Sequence, residues 1–129
     1  MKNRFKEVFA TKKPVIAMVH LGALPGSPLH DSEASLDGII ETARLDLNAL
    51  QDANVDAVMF GNENDRPYEL EVDTASTSAA AYIIGQLRSE INVPFGVNML
   101  WDPMATVALG ATTGATFVSE IFTGSYASD

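Results

Sequence analysis

Alternation constrains this chain more than any other feature. Four short, nearly wholly apolar runs are separated by longer stretches whose apolar residues recur at helical spacing. The first run, Pro14-Val-Ile-Ala-Met-Val-His20, is polar only at its last residue. A strand buried on both faces reads this way, as in a parallel sheet. Residues 55–60, 95–100 and 116–122 repeat the pattern. Between the runs, Leu36, Ile39, Ile40, Ala43, Leu47 and Leu50 form one helical stripe. Ala80, Ile83, Ile84, Leu87 and Ile91 form a second. Asp102-Pro103 opens a third helix, an N-cap followed by proline at the first helical position, and Gly114 closes it. Asp31 or Ser32 is the expected cap of the first of these helices, and Asp73 or Thr74 of the second. Asn54 suits the left-handed residue that ends a helix. Ahead of the first strand, Phe5, Val8 and Phe9 mark a short amphipathic turn of helix that Pro14 terminates.

The order β-α-β-α-β-α-β predicts right-handed crossovers and a parallel sheet. The strand starts lie roughly 20–40 residues apart, the spacing of (β/α)8 units. The expected fold is α/β, of the TIM-barrel (β/α)8 type. Residues 1–129 would be a single partial domain, an N-terminal half-barrel of four strands and three complete helices truncated after the fourth strand. A doubly wound sheet would look similar, but no Gly-x-Gly-x-x-Gly follows the first strand.

Composition removes several function classes. The chain is 47% hydrophobic and 19% charged, the balance of a globular domain. No apolar run approaches the ~20 residues of a membrane span, so no transmembrane segment is expected. Cysteine is absent, which removes disulfides, thiolate metal sites and cysteine nucleophiles. With no apolar leader at the start, a cytoplasmic location is the expectation. The net charge of −9 is uneven: residues 1–13 carry five basic side chains against Glu7, and the remainder carries three arginines against 16 acids. A body this acidic repels phosphate backbones, so no nucleic-acid partner is expected.

At the first strand the residues become specific. Val15-Ile-Ala-Met-Val-His-Leu21 followed by Leu24-Pro-Gly-Ser-Pro28 resembles the opening of the BtpA/SgcQ family. Val55-Asp-Ala-Val-Met59, Pro94-Phe-Gly-Val-Asn-Met-Leu-Trp-Asp-Pro103 and Ile121-Phe-Thr-Gly-Ser-Tyr-Ala-Ser-Asp129 agree in order, the last two being closer to the SgcQ branch. The resemblance implies a barrel of the phosphate-binding TIM type, about twice this length. It also implies a role in photosystem I accumulation for BtpA-like members and a setting beside sugar-uptake genes for SgcQ-like ones. Two departures stand out. Ser119 occupies a position where such proteins commonly carry arginine. The loop Gly61-Asn-Glu-Asn-Asp65 replaces a Glu-Asn-Phe-Gly-Asp-like segment, so the correspondence of its acids is open.

In a (β/α)8 barrel the site lies at the carboxyl ends of the strands. That rule selects His20, Glu63 and Glu120 as candidate catalytic residues, and Asn62, Asn98, Asp102 and Thr123 as candidate substrate contacts. Histidine titrates near neutrality and suits proton transfer. Glu63 could take a proton or sit as a solvated loop acid. Asn98 offers a donor and an acceptor to a substrate oxygen. Asp102 is accounted for by capping alone. Glu120, inside an apolar strand, needs a partner. His20, Glu63 and Glu120 are conceivable mixed ligands for a divalent ion, but no compact metal motif exists, no metal site is assigned and the residues name no cofactor. All four lysines precede the first strand, so this half cannot run Schiff-base chemistry. The long loop 21–30 reads equally as a ligand lid and as a proline-stiffened surface loop.

Three functional readings follow. The intact parent is an enzyme moving a proton on a small sugar-like or phosphorylated molecule. Or it is a non-enzymatic assembly factor. Or the chain is an inactive truncated fragment, expected to self-associate.

Overall fold

The computed structural model describes residues 2–122. In chain order the elements are α1 (Arg4–Val8), β1 (Ile16–His20), α2 (Leu36–Asp52), β2 (Ala57–Gly61), α3 (Thr74–Leu87), β3 (Phe95–Asn98), α4 (Pro103–Thr113) and β4 (Phe117–Val118). A 3-10 turn, Arg88–Glu90, follows α3. The strands form one sheet in the order β1-β2-β3-β4, and every neighbouring pair is parallel. Spatial order equals chain order, so the described sheet has no point at which the winding reverses; a doubly wound sheet would have one.

Register separates the two faces. Val19 pairs with Phe60 and Phe60 with Val97, and all three are buried. They join Leu47 of α2, Ile83, Ile84 and Leu87 of α3 and Leu109 of α4 in one apolar cluster. Side chains alternate along a strand, so the row Met18, Met59, Gly96 faces the other way. Its β1 end is uncovered, with Ile16 40% and Met18 37% exposed, while Ala57 and Gly96 on the same face are buried. Aromatic packing brings α1 to its lower part, where Phe9 lies 4.9 Å from Phe5 and 5.5 Å from Phe117. The Phe117 ring occupies the space a Cβ at Gly96 would need, so only glycine fits there.

The expected caps at Asp73, Asp102, Asn54 and Gly114 stand, while the strands run shorter or shifted, with β1 starting at Ile16 and β2 spanning Ala57–Gly61. Asp73 caps α3 by accepting from Ala75 N at 2.7 Å, and Asp102 caps α4 by accepting from Ala105 N at 2.9 Å. Gly114 (φ 77°) and Asn54 (φ 59°) adopt the left-handed conformation at helix ends. The cap position of α2 is Ser35, not Asp31 or Ser32. Asp31 Oδ1 instead accepts from Glu33 N at 3.0 Å, a local turn that keeps the chain out of helix for another four residues. The third strand stops at Asn98 rather than at residue 100, because Met99 O accepts from Asp102 N at 3.0 Å in a tight turn. The fourth covers two residues instead of the expected 116–122. Helix α3 tightens into the 3-10 turn before Ile91, which is buried all the same. No helix of the described residues is long and apolar enough to cross a membrane.

Candidate functional site at the carboxyl ends of the strands

Pairing carries a single row across the sheet at its carboxyl edge. His20 aligns with Gly61, and Gly61 with Asn98. The β3–β4 register, continued by one residue, sets Ser119 beside Asn98, whose Nδ2 donates to Ser119 O. With strands about 4.8 Å apart, His20 and Asn98 stand roughly 10 Å from each other, and the glycine between them contributes no side chain. The row lies on the face away from α2, α3 and α4. His20 is exposed and has no side-chain partner among the described residues. Asn98 Nδ2 also donates to Glu120 Oε2 at 3.0 Å, and the amide carbonyl has no partner among the described residues.

Glu120 is well supplied with donors. Its Oε2 accepts from Asn98 and from Thr106 Oγ1 of α4 (3.2 Å); its Oε1 accepts from Trp101 N (3.0 Å) and Ile121 N (2.7 Å). Glu120 lies beyond β4 and is half-buried, not inside a strand as expected, and these four donors fix its carboxylate. Its attachments tie the start of α4 to the end of the sheet. They also hold Trp101 in the left-handed conformation (φ 74°), with an indole that is 44% exposed and edge-on to Tyr68 at 5.8 Å. An exposed tryptophan in a strained backbone conformation has no periodicity, so nothing in the sequence marks it.

The remaining candidates divide by burial. Glu63 is exposed and lies beside the Tyr68 hydroxyl, which donates to its backbone O at 3.1 Å. Asn62 is buried and its Oδ1 accepts from Leu100 N at 2.9 Å, joining the loops after β2 and β3. Asp102 is buried too and does more than cap: Oδ1 takes Ala105 N, and Oδ2 takes Val72 N from the loop before α3 at 2.8 Å. Thr123 lies outside the described residues. The conceivable metal ligands are not grouped, since no cluster of three His, Cys, Asp or Glu able to hold an ion occurs among the described residues.

Asp65 is the loop acid that the fold buries, at 6% exposure. Its Oδ1 accepts from Leu24 N at 2.8 Å. Burial pushes its pKa above the usual aspartate range; the Leu24 amide and the nearby Ser27, Asn62 and His30 only temper the rise. Asp65 Oδ2 and Ser27 Oγ are both buried, and the side chains of Ser27 and Asn62 lie within hydrogen-bonding reach of the Asp65 carboxyl. The same region fastens the loop after β1. Asn64 Nδ2 donates to Leu21 O (2.7 Å), Ser76 Oγ donates to Pro25 O (2.7 Å), and Gly26, at φ 91°, packs so closely on Asp73 that a Cβ would collide with it. His30 Nδ1 lies 2.9 Å from Ala23 O. Of the two readings of the 21–30 loop, this geometry supports the stiffened one. Sequence reasoning chose Glu63 from this loop as the candidate acid and passed over Asp65, the one that the fold buries. The available signal was Asn64-Asp65, two short polar side chains of the kind that hydrogen-bond neighbouring backbone.

Comparison with known proteins gives the geometry a setting. The BtpA family profile matches residues 11–129. The chain is 56% identical over 124 residues to "Putative sgc region protein SgcQ" of Escherichia coli K12, covering 96% of this chain and 46% of that protein. It is 33% identical over 126 residues to "Photosystem I biogenesis protein BtpA" of Synechocystis, covering 95% and 43%. An uncharacterized Thermococcus kodakarensis protein is 36% identical over 108 residues, covering 83% and 41%. The chain therefore spans less than half the length of these relatives. No solved structure matches. The strand-end residues that the sequence resemblance rested on lie inside the matched region, and the chain belongs to the BtpA family.

Proposed function

We propose that the chain forms the first half of a (β/α)8 barrel, and that the row His20–Gly61–Asn98 is part of a rim binding a small sugar-like or phosphorylated molecule. His20 is the acid–base group in this reading, Glu63 a second proton-transfer candidate, and Glu120 positions Asn98 and the turn that follows β3. The observation that carries the proposal is that row, at the carboxyl edge and on the face the long helices leave open. Sequential strand order and relatives about twice as long support the half-barrel. The acidic loop 62–73 favours an uncharged, sugar-like group over a phosphate on this side; phosphate loops of such barrels follow strands seven and eight.

The test uses the chain extended to its relatives' length. A thermal-shift screen of sugars and sugar phosphates finds a stabilising ligand, since anything binding only the native state raises the midpoint. His20→Asn then abolishes turnover of that ligand with the melting midpoint nearly unchanged. A variant that unfolds, or one that turns over normally, removes His20 from the chemistry. The uncovered apolar residues Ile16 and Met18, together with the similarity to the Synechocystis photosystem I biogenesis protein, support a second reading, a non-catalytic assembly role. Stabilisation by a partner protein and by no small molecule would favour it.

A further inference from the structure

We propose that Trp101 and Tyr68 form a stacking platform at the carboxyl rim for the ring of a neutral cyclic sugar. The inference rests on the rim reading of His20 and Asn98 and narrows the guest to a closed, uncharged ring. An exposed aromatic alone is ordinary, but the support under Trp101 is not. Its indole is 44% exposed, and its backbone is left-handed at φ 74°. A bulky residue keeps that conformation only where its surroundings impose it, and such residues gather at ligand clamps. The four successive amides of the turn are all bonded. Met99 N donates to Thr106 Oγ1 (2.8 Å), Leu100 N to Asn62 Oδ1 (2.9 Å), Trp101 N to Glu120 Oε1 (3.0 Å) and Asp102 N to Met99 O (3.0 Å). The turn is therefore ordered before any guest arrives, which lowers the entropy cost of binding. Tyr68 stands 5.8 Å from the indole at 62°, and its hydroxyl donates to Glu63 O at 3.1 Å, so the two rings meet in a fixed corner.

One carboxylate joins this corner to the strand-end row. Glu120 holds Trp101 N with one oxygen and Asn98 Nδ2 with the other, each at 3.0 Å. The Asn98 carbonyl, without a partner among the described residues, is an acceptor on the same support. A sugar ring matches both parts. Its C–H hydrogens, slightly positive, lie against the negative face of an aromatic ring, and its hydroxyls donate to the carbonyl. Other guests fit less well. A phosphate meets the carboxylates of Glu63 and Glu120. A cation gains little from Glu120, whose charge four donors already offset. An open-chain polyol has the hydroxyls but no flat apolar face.

The whole 129-residue chain is titrated with the methyl glycosides of glucose, galactose and mannose. Sorbitol, glucose 6-phosphate and tetramethylammonium chloride are the controls, at equal ionic strength. The readouts are the fluorescence of Trp101, the chain's one tryptophan, and saturation transfer from aromatic protons to the sugar in NMR spectra. At least one glycoside changes the fluorescence saturably and receives saturation on its ring C–H hydrogens, and the controls bind roughly tenfold more weakly or not at all. Followed by NMR, Trp101→Leu weakens that glycoside by roughly tenfold, Trp101→Phe by less, and Tyr68→Leu several-fold. Trp101→Gly, which relieves the left-handed backbone, shows the same loss as Trp101→Leu, so an unfolded turn is not the cause. No saturable response to any glycoside, or tighter binding of sorbitol, the phosphate or the cation, overturns the platform. Binding that needs Asn98 but survives Trp101→Leu overturns it too and leaves the rim reading standing. Binding that needs Trp101 and is unchanged by His20→Asn and Asn98→Ala supports the platform and removes the rim reading.

Discussion

At the residue scale, two aspartates show how far a position can be read without its neighbours. Asp102 before Pro103 announces a cap, and it caps. The sequence does not show that its second oxygen holds Val72 N, because that partner is 30 residues away. The structure thus revises the expected cost of substitution. Capping alone predicts that serine replaces Asp102 almost freely. With one side-chain oxygen, serine keeps Ala105 N and abandons the half-buried Val72 N, so Asp102→Ser should cost about 1 kcal/mol, the worth of one hydrogen bond to a charged group that water partly replaces. Asp102→Ala adds the lost cap, a further ~0.5–2 kcal/mol. Urea denaturation measures both, and a serine variant as stable as the parent would return Asp102 to a simple cap. Asp65 makes a pH prediction. Its pKa is raised in the folded state, so ionisation costs more there than in the unfolded chain. This contribution to stability is complete below the ordinary aspartate value, near 4, and is lost as pH climbs through the raised folded value. Asp65→Asn does not titrate. The stability of the variant relative to the parent should therefore improve as pH rises from about 4 through the raised folded value, and then level off. A difference that is flat with pH would mean Asp65 ionises as freely in the fold as outside it.

At the element scale, apolar runs and stripes located the strands, α2 and α3, which face one shared core, while cap signals located α4 and the α1 turn packs on the other face. Val19, Phe60 and Val97 were legible as strand residues for that reason. Strand ends were less legible. Residues 99–101 continue an apolar pattern, yet side-chain bonds from Thr106 and Glu120 to Met99 N and Trp101 N turn the chain out of the sheet. Long-range partners of this sort leave no trace in spacing. Gly96 shows the converse: a glycine inside an apolar strand signals close approach, and the neighbour is the Phe117 ring. Gly96→Ala should cost about 1–3 kcal/mol through overpacking. Adding Phe117→Leu should return part of that loss, and strictly additive effects in the double variant would show that the two residues do not share this space. Glu120→Ala should release the left-handed turn and increase the mobility of Trp101. Its fluorescence anisotropy should fall, and an unchanged value would mean the turn holds without the carboxylate.

At the scale of the whole molecule, the central claim concerns the face that the long helices leave open. Ile16 and Met18 are exposed there, Val15 at the same edge is 61% exposed, and β1 and β4 each have a neighbour on one side only among the described residues. In a closed barrel those edges pair and that face becomes the interior. Apolar strand edges left open recruit another chain. Sedimentation of the purified 129-residue chain, recorded with its near-ultraviolet circular dichroism, tests this most directly. A half-barrel should sediment as a dimer or larger species over the micromolar range. A concentration-independent monomer with a rigid aromatic signal and a sharp cooperative melt would contradict it, and would make the four-stranded sheet complete in itself.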